Sequence, residues 1–145
     1  MAIKLNHIGL VVPEIETYRE TFRLLGLDEG TMPVPDPIQK VAASFVTAGE
    51  GQDVHIELLE PTDKSSPISH FLEKRGAGLH HLCFEVDDID AVIRELEEKG
   101  FRVVCAPVDC RAYDLNLKRD CREPTRISFL MMPGRLLIEL LEKGV

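Results

Sequence analysis

The sequence predicts an α+β protein made of two copies of one supersecondary unit, and three observations carry that reading. A strand holding a histidine and leading into a helix occurs twice, as Leu5-Asn6-His7-Ile8-Gly9-Leu10-Val11-Val12 and Leu79-His80-His81-Leu82-Cys83-Phe84-Glu85-Val86. In that register His7 falls over His81, Ile15 over Ile89 and Gly26 over Gly100, each 74 residues apart. Ile56-Glu57-Leu58-Leu59-Glu60 then recurs letter for letter as Ile138-Glu139-Leu140-Leu141-Glu142, 82 residues on. Within each copy the apolar period changes from two, as in a strand, to that of a helix.

Residues 4–12 alternate, with His7, Gly9 and Val11 on one face and Ile8, Leu10 and Val12 on the other. Pro13 suits a first helical turn, and Ile15, Tyr18, Phe22 and Leu25 make an amphipathic stripe that Gly26 ends. Pro33, Pro35 and Pro37 mark an irregular connection with a further short strand near residues 28–34. Residues 40–46 read as a strand, 49–52 as a turn and 54–59 as the next strand, with His55 and Glu57 on one face. Ser66 and Pro67 open a short linking helix. In the second copy Asp87, with Asp90 three residues on, predicts the helix start. Ile89, Val92, Ile93 and Leu96 supply its stripe, and Gly100 its end. Residues 101–106, 125–132 and 136–141 read as strands, with 108–124 left irregular. The expected organisation is one domain over residues 1–145: a first module at 4–60, a linker with a short helix at 61–78, and a second module at 79–143.

A chain of 145 residues, 44% hydrophobic and 29% charged, suits a globular protein. Its net charge of −8 disfavours nucleic acid and anionic membranes as partners. No apolar run reaches the ~20 residues of a membrane helix. With no signal peptide at the N-terminus, the cytoplasm is the expected compartment. Cys83, Cys105, Cys110 and Cys121 form no CxxC pair and are expected to be reduced thiols. The spacing of Cys105, Cys110 and Cys121 matches no standard zinc knuckle.

Alternation places His7, His81, Glu57 and Glu139 on faces that the helices leave free. A carboxylate amid apolar strand residues is costly to bury unless it is paired or bound to metal. Here the same residue types recur at the same places in both copies. If the copies pair about a pseudo-two-fold axis, their strand faces enclose one curved cavity with a metal site of two His and two Glu. Mixed imidazole and carboxylate ligands suit one divalent Co, Ni, Zn, Mn or Fe ion. Such a site fits removal of a proton α to a carbonyl, with a metal-stabilised enolate and Glu139 or Glu57 as base. His55 is a weaker helper. Arg111 and Arg126, in a run with Lys118, Arg119 and Arg122, are candidate contacts for a substrate phosphate or carboxylate.

Up to about residue 104 the chain resembles the vicinal oxygen chelate superfamily, within it the methylmalonyl-CoA epimerases and glyoxalase I-like enzymes. The likeness is carried by Ile56-Glu57-Leu58-Leu59-Glu60-Pro61, Ser66-Pro67-Ile68, Phe71-Leu72-Glu73-Lys74-Arg75-Gly76 and Gly78-Leu79-His80-His81. The resemblance implies paired βαβββ modules in a curved mixed sheet around a central metal cavity, with ligands at the positions of His7, Glu57, His81 and Glu139. It also implies an acyl-CoA thioester substrate. The alternatives are a lactoylglutathione lyase acting on a thiol hemithioacetal and a non-catalytic small-molecule binder. A homodimer is expected. Two departures bear on the substrate. The acidic residue that some epimerases carry near residues 41–46 is missing among Val41, Ala42, Ala43 and Ser44. Met131-Met132-Pro133-Gly134 stands in place of the family's Gly-rich loop and His-Pro. By the register with Leu5-Asn6-His7, His81 is the inward ligand and His80 belongs to the helix side or strand edge.

Overall fold

The computed structural model describes residues 3–27, 30–48 and 54–145. The first half runs β1 (Lys4–Val11), α1 (Ile15–Leu24), β2 (Val34–Asp36), β3 (Val41–Ala48) and β4 (Val54–Pro61). After α2 (Pro67–Arg75) come β5 (Gly78–Glu85), α3 (Ile89–Glu98), β6 (Arg102–Asp109), α4 (Arg111–Asn116), β7 (Arg126–Met132) and β8 (Leu136–Glu142). The strands make one curved mixed sheet in the order β2-β3-β4-β1-β5-β8-β7-β6. Each half repeats the same local order. β1 runs parallel to β4 and β5 parallel to β8, and the halves meet where β1 and β5 pair antiparallel.

The two faces of the sheet are filled differently, as strand alternation dictates. On the convex side, Ile15, Tyr18 and Phe22 of α1 pack with Leu10, Val12, Val46, Ile56 and Leu58. Ile89, Val92 and Ile93 of α3 pack equivalently with Phe84, Val86, Leu130, Ile138 and Leu140. Fully burying an Ile such as Ile15 or Ile89 contributes about 1.5–3 kcal/mol, so these stripes anchor each half. Ile68, Phe71 and Leu72 of α2 pack with Val11, Val41, Ala43 and Leu59, while Tyr113 of α4 joins Phe45, Cys83, Ile127 and Leu141.

The fold departs from the sequence reading at several places. The expected extra strand is β2, beginning at Val34, with an isolated bridge between Gly30 and Val46. The turn at residues 49–52 lies outside the described residues. Residues 108–124 are not wholly irregular, because β6 extends to Asp109 and α4 follows. A six-residue helix is too short to stand alone, and α4 has no side-chain cap. Buried Tyr113, Asp114 and Asn116 hold it in place. The cap of α3 is Asp88 rather than Asp87: Asp88 Oδ1 accepts from Ala91 N at 2.9 Å.

Candidate metal centre

His7 of β1 and His81 of β5 face each other across the seam between the halves, with Nε2 atoms 3.1 Å apart. Glu57 arrives from β4 and Glu139 from β8, the parallel neighbours of those strands. Glu57 Oε1 lies 3.5 Å from His7 Nε2 and 3.3 Å from His81 Nε2. Glu139 Oε1 lies 3.7 Å from His7 Nε2, and Oε2 lies 3.3 Å from His81 Nε2. Both histidines are 1% exposed and Glu139 is 5% exposed. His7, Glu57 and His81 offer ligand atoms all within 4.8 Å of one another, and so do His7, Cys83 and Glu139.

Burial alone would disfavour every charge here, and the neighbours decide the outcome. Burial raises the Glu57 carboxyl, but the adjacent His7 and His81 reverse this and hold it well below the usual carboxylate range. For Glu139 burial wins over the pull of His81 and His7, and the nearby Glu57 charge adds to it, so its carboxyl is pushed up. Burial disfavours the His7 cation, yet the Glu57 and Glu139 carboxylates outweigh it and raise His7. The raised groups favour proton uptake, the same direction of charge balance that a cation supplies. Two inward nitrogens and two carboxylates, each carboxylate within 3.7 Å of both nitrogens, therefore fit a divalent ion both in donor chemistry and in charge.

Two irregularities in the β1–β5 ladder shape the site. Leu5 pairs with Phe84 and His7 with Cys83, leaving Asn6 as an extra residue. Gly9 pairs with His81 and Leu10 with Leu79, leaving His80 as the other. These are β-bulges, which re-aim side chains that regular alternation would send elsewhere. His80 consequently lines the cavity together with His81, contrary to its expected place on the helix side or strand edge. It still reaches α2, where its ring meets Phe71 edge-on at 5.5 Å. Burial and the neighbouring His81 lower its pKa to about 4.

The four side chains open into a cavity of about 340 Å³. Val41, Ala43 and Phe45 of β3 line one wall and Ile127 and Phe129 of β7 the other. Pro67 and Ile68 of α2 and Ala112, Tyr113 and Asn116 of α4 flank it. Asp36 also lines it, but its Oδ1 accepts from Ile38 N and Gln39 N, and Cys110 Sγ lies 3.8 Å from its Oδ2.

The candidate substrate contacts lie elsewhere. Arg126 makes two bonds to Asp90 of α3, at 2.7 and 2.9 Å, and Arg111 is exposed at the start of α4. Neither lines the cavity. Arg119 is committed to Asp114 and to Gly144 O. His55 meets Phe45 edge-on at 5.9 Å rather than joining the four. All four cysteines are free, and Cys105, Cys110 and Cys121 contact three different partners. Sequence reasoning overlooked Asn6, Cys83 and Tyr113. The signal for Asn6 was its place, matching His80 in register, before a ligand-type histidine.

A sheet of two matched halves closing on a buried His₂Glu₂ cluster defines the class of protein to which this chain belongs. The chain belongs to the Glyoxalase/Bleomycin resistance protein/Dioxygenase superfamily, whose pattern it matches over residues 6–116. It is 40% identical over 103 residues to the mitochondrial methylmalonyl-CoA epimerase of Bos taurus, a match covering 70% of this chain and 57% of that protein. It is 41% identical over 103 residues to the ethylmalonyl-CoA/methylmalonyl-CoA epimerase of Cereibacter sphaeroides, covering 70% and 74%. A structure of a methylmalonyl-CoA epimerase in complex with methylmalonyl-CoA and NH4+ superposes with a TM-score of 0.79. That match has 26% identity and covers 99% of this chain and 96% of the other.

Proposed function

We propose that this protein is a metal-dependent epimerase acting on an acyl-CoA thioester of the methylmalonyl-CoA type, by moving the proton α to the thioester carbonyl. The observation that carries the reading is the convergence of His7, Glu57, His81 and Glu139 in the lining of a largely apolar cavity, each carboxylate within 3.7 Å of both imidazole Nε2 atoms. Its relatives' names supply the substrate class. The four side chains would hold one divalent ion. Bound there, the ion supplies positive charge that eases loss of a proton next to a carbonyl.

The remaining work falls to the chain. Glu57 and Glu139 reach the histidine pair from β4 and β8 on its two flanks, so one takes the α-proton and the other returns a proton to the opposite face. Each carboxylate lies within 3.7 Å of both imidazole Nε2 atoms, so either can serve as the acceptor. The apolar walls exclude water and so favour return of the proton to carbon. No helix among the described residues is long and apolar enough to cross a membrane. Cytoplasmic residence and a homodimer complete the reading, the latter measurable by light scattering.

A second reading follows from β3. Its cavity-facing residues, Val41, Ala43 and Phe45, offer no carboxylate, and Asp36 of β2 is held by Ile38 N and Gln39 N, so the proton carriers are drawn from the four-residue cluster. That arrangement also serves a glyoxalase-type lyase. The deciding experiment restores Co²⁺ or Zn²⁺ and follows two reactions: solvent deuterium entering methylmalonyl-CoA, and turnover of the methylglyoxal–glutathione hemithioacetal. Exchange into the thioester alone is expected. Hemithioacetal turnover without exchange into any acyl-CoA would favour the lyase, and a folded, metal-free protein inert to both would favour a binding protein.

A further inference from the structure

We propose that Asn6 and His80 are a matched pair of positioning residues, each seated in a β-bulge directly before a metal-binding histidine and each holding that histidine's Nδ1 so that Nε2 points into the cavity. The inference rests on the metal-site reading above and assigns roles to two residues outside the ligand set.

Geometry makes the case twice, in independent halves of the sheet. In a regular strand, residues 6 and 80 would point away from 7 and 81. The extra residue at each bulge instead brings neighbouring side chains onto one face. Asn6 Oδ1 then lies 2.7 Å from His7 Nδ1, and His80 Nδ1 lies 2.9 Å from His81 Nδ1. The amide of Asn6 has one workable orientation. Its Nδ2 donates to Tyr113 Oη at 3.1 Å and to Glu85 Oε2 at 3.2 Å, which leaves Oδ1 to accept. His7 Nδ1 must therefore be the donor.

A neutral imidazole has a single N–H. Holding it at Nδ1 leaves the Nε2 lone pair free for an ion and fixes the ring plane. With an ion on His81 Nε2, the N–H of that ring sits on Nδ1 and His80 Nδ1 is the acceptor, the His80 ring being braced edge-on against Phe71. Two chemically different acceptors, an amide and an imidazole, thus fill one role at places 74 residues apart. That equivalence predicts that one can stand in for the other.

The test titrates the metal-free 145-residue chain with Co²⁺ by calorimetry, comparing wild type, His81→Ala, Asn6→Ala, His80→Ala and His80→Asn. Loss of a hydrogen bond to a ligating histidine typically weakens metal binding roughly tenfold to a hundredfold. That loss is expected for Asn6→Ala and His80→Ala, with His80→Asn restoring most of the affinity. In the Zn²⁺-loaded wild type, proton–nitrogen spectra should show slowly exchanging Nδ1–H signals from both His7 and His81.

Alanine variants that fold and bind as tightly as wild type would overturn the proposal. So would a His80→Asn protein as weak as His80→Ala, or Zn²⁺-loaded spectra without Nδ1–H on either ring. Should the alanine variants fail to fold, His80→Asn and the spectra decide. A folded wild type that binds Co²⁺ no better than His81→Ala would refute the metal site itself, an outcome distinct from all of these.

Discussion

Gly9 lies directly opposite His81 in the β1–β5 ladder, and the imidazole rests on the space its missing side chain leaves. A Cβ there would stand 2.2 Å from His81 Cε1, 2.5 Å from Nδ1 and 2.6 Å from Nε2. The ring is nearly fully buried and bonded to His80, so it has little room to yield. Gly9→Ala is therefore predicted to cost about 1–3 kcal/mol by overpacking and to weaken metal binding as the ring is pushed out of place. Urea denaturation and Co²⁺ titration measure the two effects, and unchanged metal affinity would show that the ring can move freely. Residue types that repeat were legible: His7, Glu57, His81 and Glu139 stand out because the same pair recurs in each half. Orientation was less so. His80 turns inward through a bulge, which leaves no mark in hydrophobic alternation. Arg126 turns away from the cavity because α3 brings Asp90 beside it, a tertiary fact beyond any local pattern.

The repeated Ile-Glu-Leu-Leu-Glu segment does two jobs on its two faces. Its first glutamate, Glu57 or Glu139, enters the site. Three residues on, and so on the other face, Glu60 Oε1 accepts from Ile15 N at 3.1 Å, and Glu142 Oε2 accepts from Ile89 N at 2.8 Å. Ile15 and Ile89 are the first residues of α1 and α3, where backbone N–H groups lack helical partners and the helix dipole favours an anion. One strand thus fixes both a candidate ligand and the start of the helix packed behind it. Glu60→Ala and Glu142→Ala are each predicted to cost about 1 kcal/mol. Because the bonds share no partner, the double variant should lose close to the sum. Denaturant unfolding gives these values, and hydrogen exchange should quicken in the first turn of the affected helix. No loss in the double variant would mean that water replaces the carboxylates without cost. Long periodic elements were legible because their stripes bury against the sheet. α4 was not, since its six residues form a helix only through Tyr113, Asp114 and Asn116; Asp114 in turn accepts from Thr125 N and Oγ1, at 2.9 and 2.6 Å.

Across the whole molecule, the two repeat offsets of the sequence already imply two like halves, and the sheet order shows how they join. The histidines stand on the central strands β1 and β5, and the glutamates on the next strands out, so the cluster straddles the seam between halves. The link between β6 and β7, residues 110–125, is longer than the link between β2 and β3, residues 37–40, and it carries α4, which adds a wall that the first half lacks. Because each half contributes one imidazole and one carboxylate, an ion bound to all four would tie the halves together, and it would bind the folded chain far better than the unfolded one. Linkage then sets the scale: at a free ion concentration a hundred times Kd, the folded state gains about 2.7 kcal/mol. For a chain of 145 residues that corresponds to a rise in Tm of roughly 9 °C. The expected result is such a rise on adding Co²⁺ or Zn²⁺ to the metal-free protein, its reversal by a chelator, and its loss in His7→Ala and in Glu139→Gln. Since these substitutions come from opposite halves, equal loss in both would mark one shared site at the seam. A rise that survives in either would place the ion elsewhere.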